Sequence, residues 1–241
     1  MPTEPTVLII DDNMEMAANL QEILEDEGVR VDVAQDGYQA LTKLDENGFD
    51  LVITDIRMPG MSGIDVLKTV HERWPTLPVI VMTAYSADAT LEEAHTAGAL
   101  DVLAKPVDID HVIDLVERIT EPHARVLLVE DDRNLRVGLA EALLDIAKVV
   151  PYAAATVSDA RRLAAEIQFR VAIVDVHLPD GDGVTLAAAL KERQPGLAIV
   201  YITGYGGQHD ALAEVLKSPQ MHLLEKPFQP ERLLDLVRSA V

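Results

Sequence analysis

At 241 residues the chain has room for two domains, each large enough for its own core. It has no cysteine, which excludes disulfides, thiolate zinc sites and cysteine nucleophiles and suits a cytoplasmic location. A net charge of −21 argues against unspecific binding to DNA or anionic membranes, and neither a basic N-terminal region nor a long apolar run is present.

That charge is unevenly shared. Residues 1–120 carry 24 acidic and 7 basic side chains, and residues 121–241 carry 17 and 13. Two readings stay open: drift on solvated surfaces, or halves that meet different partners.

In chain order, an apolar run followed by a helical stretch repeats five times in each half. The first half predicts strands near 6–10, 30–34, 50–54, 78–83 and 100–104. Its helices are expected near 14–27, 37–46, 64–73, 88–97 and 108–119. Gly28 and Gly98 stand where a left-handed helix cap is wanted. The second half predicts strands near 125–129, 149–154, 170–174, 197–202 and 222–225, with helices near 133–146, 158–166, 183–193, 208–217 and 229–240. Strand and helix in alternation mean a parallel sheet covered on both faces by right-handed crossovers. The fold expected is therefore α/β: two doubly wound domains of five strands and five helices over 1–120 and 125–241, whose flavodoxin-like strand order is implied by the family resemblance below. The five-residue connection Thr120–Ala124 couples them closely, with 121–124 as the linker proper.

Asp12, Asp55, Thr83 and Lys105 are spaced by 43, 28 and 22 residues, and Asp131, Asp175, Thr203 and Lys226 by 44, 28 and 23. Each carboxylate follows an apolar strand, as in Val7-Leu8-Ile9-Ile10 before Asp11-Asp12 and Val126-Leu127-Leu128-Val129 before Glu130-Asp131. Ligands of such sheets bind beyond the carboxyl ends of the strands, where all these residues fall. Three crowded carboxylates need a cation, and a hard one such as Mg2+ suits them. A third carboxylate can then act as a nucleophile toward a phosphoryl group, with a lysine and a threonine to hold its oxygens.

The chain resembles bacterial response-regulator receiver domains, twice over. The residues that carry the resemblance are Asp11-Asp12, Asp55-Ile56-Arg57-Met58-Pro59-Gly60-Met61-Ser62-Gly63, Thr83-Ala84 and Lys105-Pro106. They recur as Glu130-Asp131, Asp175-Val176-His177-Leu178-Pro179-Asp180-Gly181-Asp182-Gly183, Thr203-Gly204 and Lys226-Pro227-Phe228. The resemblance implies Asp55 and Asp175 as phosphoryl acceptors and Thr83 and Thr203 as switch hydroxyls. It implies Lys105 and Lys226 as phosphate-binding lysines, each before a cis proline. Mg2+ would be held by Asp11, Asp12 and Asp55, and by Glu130, Asp131 and Asp175, with the backbone carbonyls of Arg57 and His177 completing each site. By the same resemblance the protein is a phosphorelay switch rather than a turnover enzyme, with only self-phosphorylation and slow autodephosphorylation. Its partner would be a histidine kinase or a histidine phosphotransfer protein. The short linker favours a receiver–receiver pseudo-dimer through the fourth and fifth helices, a homodimer being the alternative. The chain ends within the last expected helix, which leaves room for a C-terminal effector domain in a longer protein.

Three features depart from the receiver pattern or compete with it. The aromatic residue usual three positions before the lysine is replaced by Val102 and Leu223, so signal transmission by loop or helix movement is expected. Ser218-Pro219-Gln220 replaces the usual Gly-Ala before the fifth strand of the second half, which marks that half as the weaker acceptor. One rival class is a phosphorylation-independent pair of docking modules, and another is an aspartate-nucleophile phosphatase, whose D-x-D motif after the first strand is replaced by the adjacent acids of Asp11-Asp12-Asn13 and Glu130-Asp131-Asp132. Gly204-Tyr205-Gly206-Gly207 lacks the following Gly-Lys of a phosphate loop, and Asp180-Gly181-Asp182-Gly183 lacks the glutamate of a calcium loop.

Overall fold

The computed structural model describes residues 4–84, 88–120, 125–204 and 220–240. The chain divides into two compact units, Met1–Thr120 and Glu121–Val241. In the first unit the strands are β1 (Thr6–Ile10), β2 (Arg30–Ala34), β3 (Leu51–Asp55), β4 (Val79–Thr83) and β5 (Asp101–Ala104). They form one parallel sheet in the order β2-β1-β3-β4-β5. The helices are α1 (Met14–Asp26), α2 (Gly37–Glu46), α3 (Gly63–Arg73), α4 (Asp88–Thr96) and α5 (Ile109–Thr120).

The pleat of the central strands explains why they are apolar throughout. Leu8, Ile10, Val52, Val79 and Val81 face a cluster with Ala40 and Leu44 of α2, Ile64, Leu67 and Val70 of α3, and Ala94 of α4. Alternate residues Val7, Ile9, Ile53, Ile80 and Met82 point to the other face and are equally buried. Leu20 and Leu24 of α1 and Leu115 and Val116 of α5 are buried outside that cluster. Burying each such side chain stabilises the fold by about 1.5–3 kcal/mol.

The second unit repeats the plan with β6 (Arg125–Val129), α6 (Arg133–Asp145), β7 (Val150–Ala154), α7 (Val157–Glu166) and β8 (Val171–Asp175). A short hairpin follows, β9 (His177–Leu178) with β10 (Gly181–Asp182), then α8 (Gly183–Arg193), β11 (Ala198–Thr203), β12 (Met221–Glu225) and α9 (Pro230–Ala240). Its parallel sheet runs β12-β11-β8-β6-β7, the same doubly wound order. Both units are thus flavodoxin-like α/β domains.

The expected elements recur with small shifts. Strands β3 and β8 extend one residue further than expected, so Asp55 and Asp175 are their last residues. The β9–β10 hairpin was not expected, because two-residue strands leave no periodicity to read. The helix expected at 208–217 and the linker 121–124 lie outside the described residues. No helix among the described residues is long and apolar enough to cross a membrane.

One turn is solved differently in the two units. After α1 the chain turns through Gly28 at φ 82°, and Gly98 after α4 does the same at φ 95°. At the position matching Gly28, the second unit has Lys148 at φ 58°, where a Cβ crowds the following carbonyl. Lys148→Gly is expected to raise the stability of the second unit by about 1 kcal/mol, read as a higher urea midpoint at unchanged slope.

Candidate functional site

Parallel strands place all their carboxyl ends on one edge of the sheet, and the polar residues at those ends converge there. In the first unit Asp11 is buried just beyond β1, Asp55 ends β3, Thr83 ends β4, and Lys105 follows β5. The Lys105 ammonium donates to Asp11 Oδ2 and lies 2.8 Å from both Asp11 Oδ2 and Asp55 Oδ1. The other oxygen of each carboxylate is held by backbone: Asn13 N donates to Asp11 Oδ1 at 2.9 Å and Arg57 N to Asp55 Oδ2 at 3.1 Å. Asp12 is exposed, and its carboxylate completes a trio whose oxygens lie within 4.8 Å of one another.

The second unit builds the same edge with a longer acid. Lys226 Nζ lies 2.6 Å from Asp175 Oδ2 and 2.8 Å from Glu130 Oε2, and donates to Glu130 Oε1 at 3.0 Å. His177 N donates to Asp175 Oδ1 at 2.9 Å and Asp132 N to Glu130 Oε1 at 3.2 Å. Glu130, Asp131 and Asp175 form the second trio within 4.8 Å. Thr203, buried at the end of β11, donates to the Gly204 carbonyl at 3.3 Å.

Electrostatics fix the lysines as cations. Burial alone would pull the Lys105 pKa down, but its bonds to Asp11 and Asp55 outweigh this and hold it above the ordinary 10.5. Lys226 behaves likewise through Asp175 and Glu130. Glu130 is pushed above the usual carboxylate value by its burial, with Asp175 adding repulsion, although Lys226 opposes both.

The backbone supports the acceptor strands through a close approach at two glycines. Gly63 N donates to the Ile56 carbonyl and Gly183 N to the Val176 carbonyl, both at 2.9 Å. A Cβ at Gly63 would lie 2.1 Å from the Asp55 carbonyl oxygen, and one at Gly183 would lie 2.0 Å from that of Asp175. Helix α3 then starts with a reciprocal capping box between Ser62 and Asp65. The peptide bonds Lys105–Pro106 and Lys226–Pro227 are cis.

All six residues expected in the acceptor, hydroxyl and lysine roles therefore lie at the carboxyl edges of their sheets, and the two acid trios gather as the spacing required. Arg57 and His177 lie at the rim, with their amides turned to the acceptor carboxylates. The sequence reading missed Arg136. Its Nη1 donates to the Glu130 carbonyl at 2.7 Å and the Asp131 carbonyl at 3.1 Å, tying the acid-bearing turn to α6. Its counterpart in the first unit is Ala17, so comparing the two repeats position by position would have exposed it. Beside Asp12 an open cavity of about 600 Å³ is lined by Arg57, Met58, Ser62, Asp65 and Glu93.

The donor set fits a hard divalent cation. It is all oxygen and anionic, one member of each trio is exposed, and room remains for water ligands. In the second trio Glu130 Oε2 is already paired with the Lys226 ammonium at 2.8 Å, so a cation there would share that carboxylate with the lysine.

The model of the response regulator receiver domain matches residues 7–117 and again 126–238. A response regulator receiver protein of Anaeromyxobacter sp. (strain Fw109-5) is 36% identical over 230 residues, covering 95% of this chain and 92% of that protein. The transcriptional regulatory protein ZraR of Klebsiella oxytoca is 47% identical over 104 residues, 43% of this chain and 24% of that regulator. The receiver domain of the Francisella response regulator 1452 is 32% identical, covers 48% of this chain and 97% of its own, and has a TM-score of 0.47. The chain belongs to the response regulator receiver family, with two receiver domains in tandem, and is a switch component of two-component signalling.

Two substitutions test the pocket of the first domain, using the single tryptophan, Trp74, as its fluorescent reporter. Lys105→Met leaves Asp11 and Asp55 uncompensated and is expected to cost about 3 kcal/mol in metal-free urea unfolding at pH 7. In the parent the folded-state pKa of Lys105 is raised, so its contribution is complete at neutral pH and disappears only on the alkaline side of 10.5. Gly63→Ala forces a Cβ onto backbone and is expected to cost about 2–3 kcal/mol by the same measurement.

Proposed function

We propose that the protein is a phosphoryl-accepting switch, modified on Asp55 and on Asp175 in a reaction that needs Mg2+. One observation carries this reading. In both domains a strand-end carboxylate shares an ammonium with a neighbouring acid, beside a further exposed acid. Such a carboxylate is poised to exchange its lysine contact for a bond to phosphorus.

The chain's own residues supply most of the chemistry. An oxygen of Asp55 attacks the phosphorus of a phosphodonor, the bond to the donor's leaving group breaks, and an acyl phosphate results. Asp11 and Asp12 would hold the cation with Asp55, as Glu130 and Asp131 would with Asp175. When bound, Mg2+ neutralises the charge of the phosphoryl oxygens. Lys105 is free to follow the transferred group, because its ammonium already touches the acceptor and keeps its proton. Thr83 and Thr203, at the adjacent strand ends, would donate to another phosphoryl oxygen. Phosphorylation adds close to two negative charges, which is the force that moves neighbouring groups.

On this reading the protein catalyses only its own phosphorylation and slow dephosphorylation, and its donor is a histidine kinase or histidine phosphotransfer protein in the cytoplasm. Its acidity opposes direct contact with nucleic-acid backbones.

Acetyl phosphate with Mg2+ should label two sites in the parent chain, located by borohydride trapping and mass spectrometry. Asp55→Asn should leave one labelled site, Asp175→Asn the other, and the double variant none. Labelling that survives in the double variant would refute the assignment. No labelling of the parent would instead favour a pair of docking modules that work without phosphorylation.

A further inference from the structure

The loops that follow the two acceptor strands are anchored differently. Both loops start alike, with Ile56 N donating to the Met82 carbonyl at 3.0 Å and Val176 N to the Ile202 carbonyl at 2.9 Å, and the loop from Val176 to Asp182 then departs. It folds back on itself, pairing His177 with Asp182 and Leu178 with Gly181. Its tip carries Asp180, whose two oxygens take three hydrogen bonds from the start of α7. Val157 N donates to Oδ1 at 2.7 Å, while Ser158 N at 3.0 Å and Ser158 Oγ at 2.9 Å donate to Oδ2. These bonds, that of Val157 first, hold the Asp180 carboxyl below its ordinary value.

Steric fit allows the approach. Gly181 lies against Val157, where a Cβ would meet Val157 Cγ2 at 3.1 Å. The first domain inverts this contact: Gly37 takes the place of Val157, and Met61 takes the place of Gly181. A Cβ on Gly37 would meet Met61 Sδ at 2.8 Å. At the loop tip the first domain has Gly60, at φ 84°, so it offers no carboxylate to the start of α2. Both helices have local caps, Asp36 for α2 and Thr156 for α7, so the Asp180 bonds are additional to a cap rather than in place of one.

We propose that Asp180 is a positioning residue for the second pocket: it clamps the loop bearing His177 to the start of α7, and so presets that loop for binding the divalent cation. The inference rests on the proposed function, in which the acid trio holds Mg2+, and on the family resemblance, which adds the His177 carbonyl. A loop already fixed loses less freedom when it binds a ligand, so the clamp raises affinity without touching the ion. Gly60 makes the first domain an internal control within the same molecule.

The test is an Mg2+ titration of the full chain followed by 15N NMR, with the amides of Asp12 and Arg57 reporting the first pocket and those of Asp131 and His177 the second. Asp180→Ala is expected to weaken binding at the second pocket about fivefold, on the order of a modest outer-shell effect, and to leave the first unchanged. Asp180→Asn, which keeps one acceptor oxygen, should fall between. In the metal-free protein, amide exchange at residues 177–182 should quicken in Asp180→Ala while the strand amides of β6 and β8 stay protected. If Mg2+ shifts both pockets of the parent and Asp180→Ala changes neither affinity, the clamp idea fails and the functional reading stands. An affinity loss shared equally by both pockets, or accompanied by exchange throughout β6 and β8, also overturns it, because the effect would then be general destabilisation. If Mg2+ shifts neither pocket of the parent, the functional reading falls and takes this inference with it.

Discussion

Each domain is organised around one ammonium group shared by two buried carboxylates. Two like charges about 4 Å apart repel by about 4 kcal/mol at the effective dielectric of a protein surface. Lys105 offsets that repulsion in the first domain and Lys226 in the second. The parallel sheet makes the crowding unavoidable, since β1, β3 and β5 all deliver their following residues to one edge. The same lysine that stabilises the resting pocket is the group that an incoming phosphate would draw away. On the proposed function, stability and response would depend on this one contact.

The two domains keep their contacts while exchanging the residues that make them. Gly37 with Met61 and Val157 with Gly181 fill the same junction from opposite sides. Asp11 and Glu130 both reach a lysine from the end of the first strand, with different side-chain lengths. Gly28 and Lys148 make the same left-handed turn, one without strain and one with it. What the duplicated fold preserves is the space and charge at each position rather than the side chain that supplies them.

Much of this was legible in the sequence because the signals were long-range and repeated. Four polar residues at matched gaps, each after an apolar run, sufficed to place both pockets, while the strand order came from the resemblance to receiver domains. The strand ends were misjudged by one residue at Asp55 and Asp175, since a carboxylate reads as a loop residue even when it completes a ladder. The hairpin around Pro179 and Asp180 was invisible because its strands are two residues long. Arg136 bonds backbone carbonyls and matches no motif, so only its contrast with Ala17 in the first repeat marks it, while Asp180 was named in a motif but its bonds to Val157 and Ser158 were not foreseen. The altered Ser218-Pro219-Gln220 segment, read as a sign of a weaker second domain, lies outside the described residues except for Gln220.

Burial gives a route to the site that needs no motif. Charged side chains are almost never fully buried unless they are paired. Among the described residues the buried charged ones are Asp11, Asp55, Arg118, Glu130 and Asp175, and four of these five belong to the pockets. Thr83 and Thr203 are buried beside them at the neighbouring strand ends. A fold under selection for stability alone would replace such groups with apolar ones, because a buried ion pair rarely outperforms a well-packed hydrocarbon. They occur twice, at the same sheet edge, while the other described acids lie nearer solvent, and this supports the function proposed above.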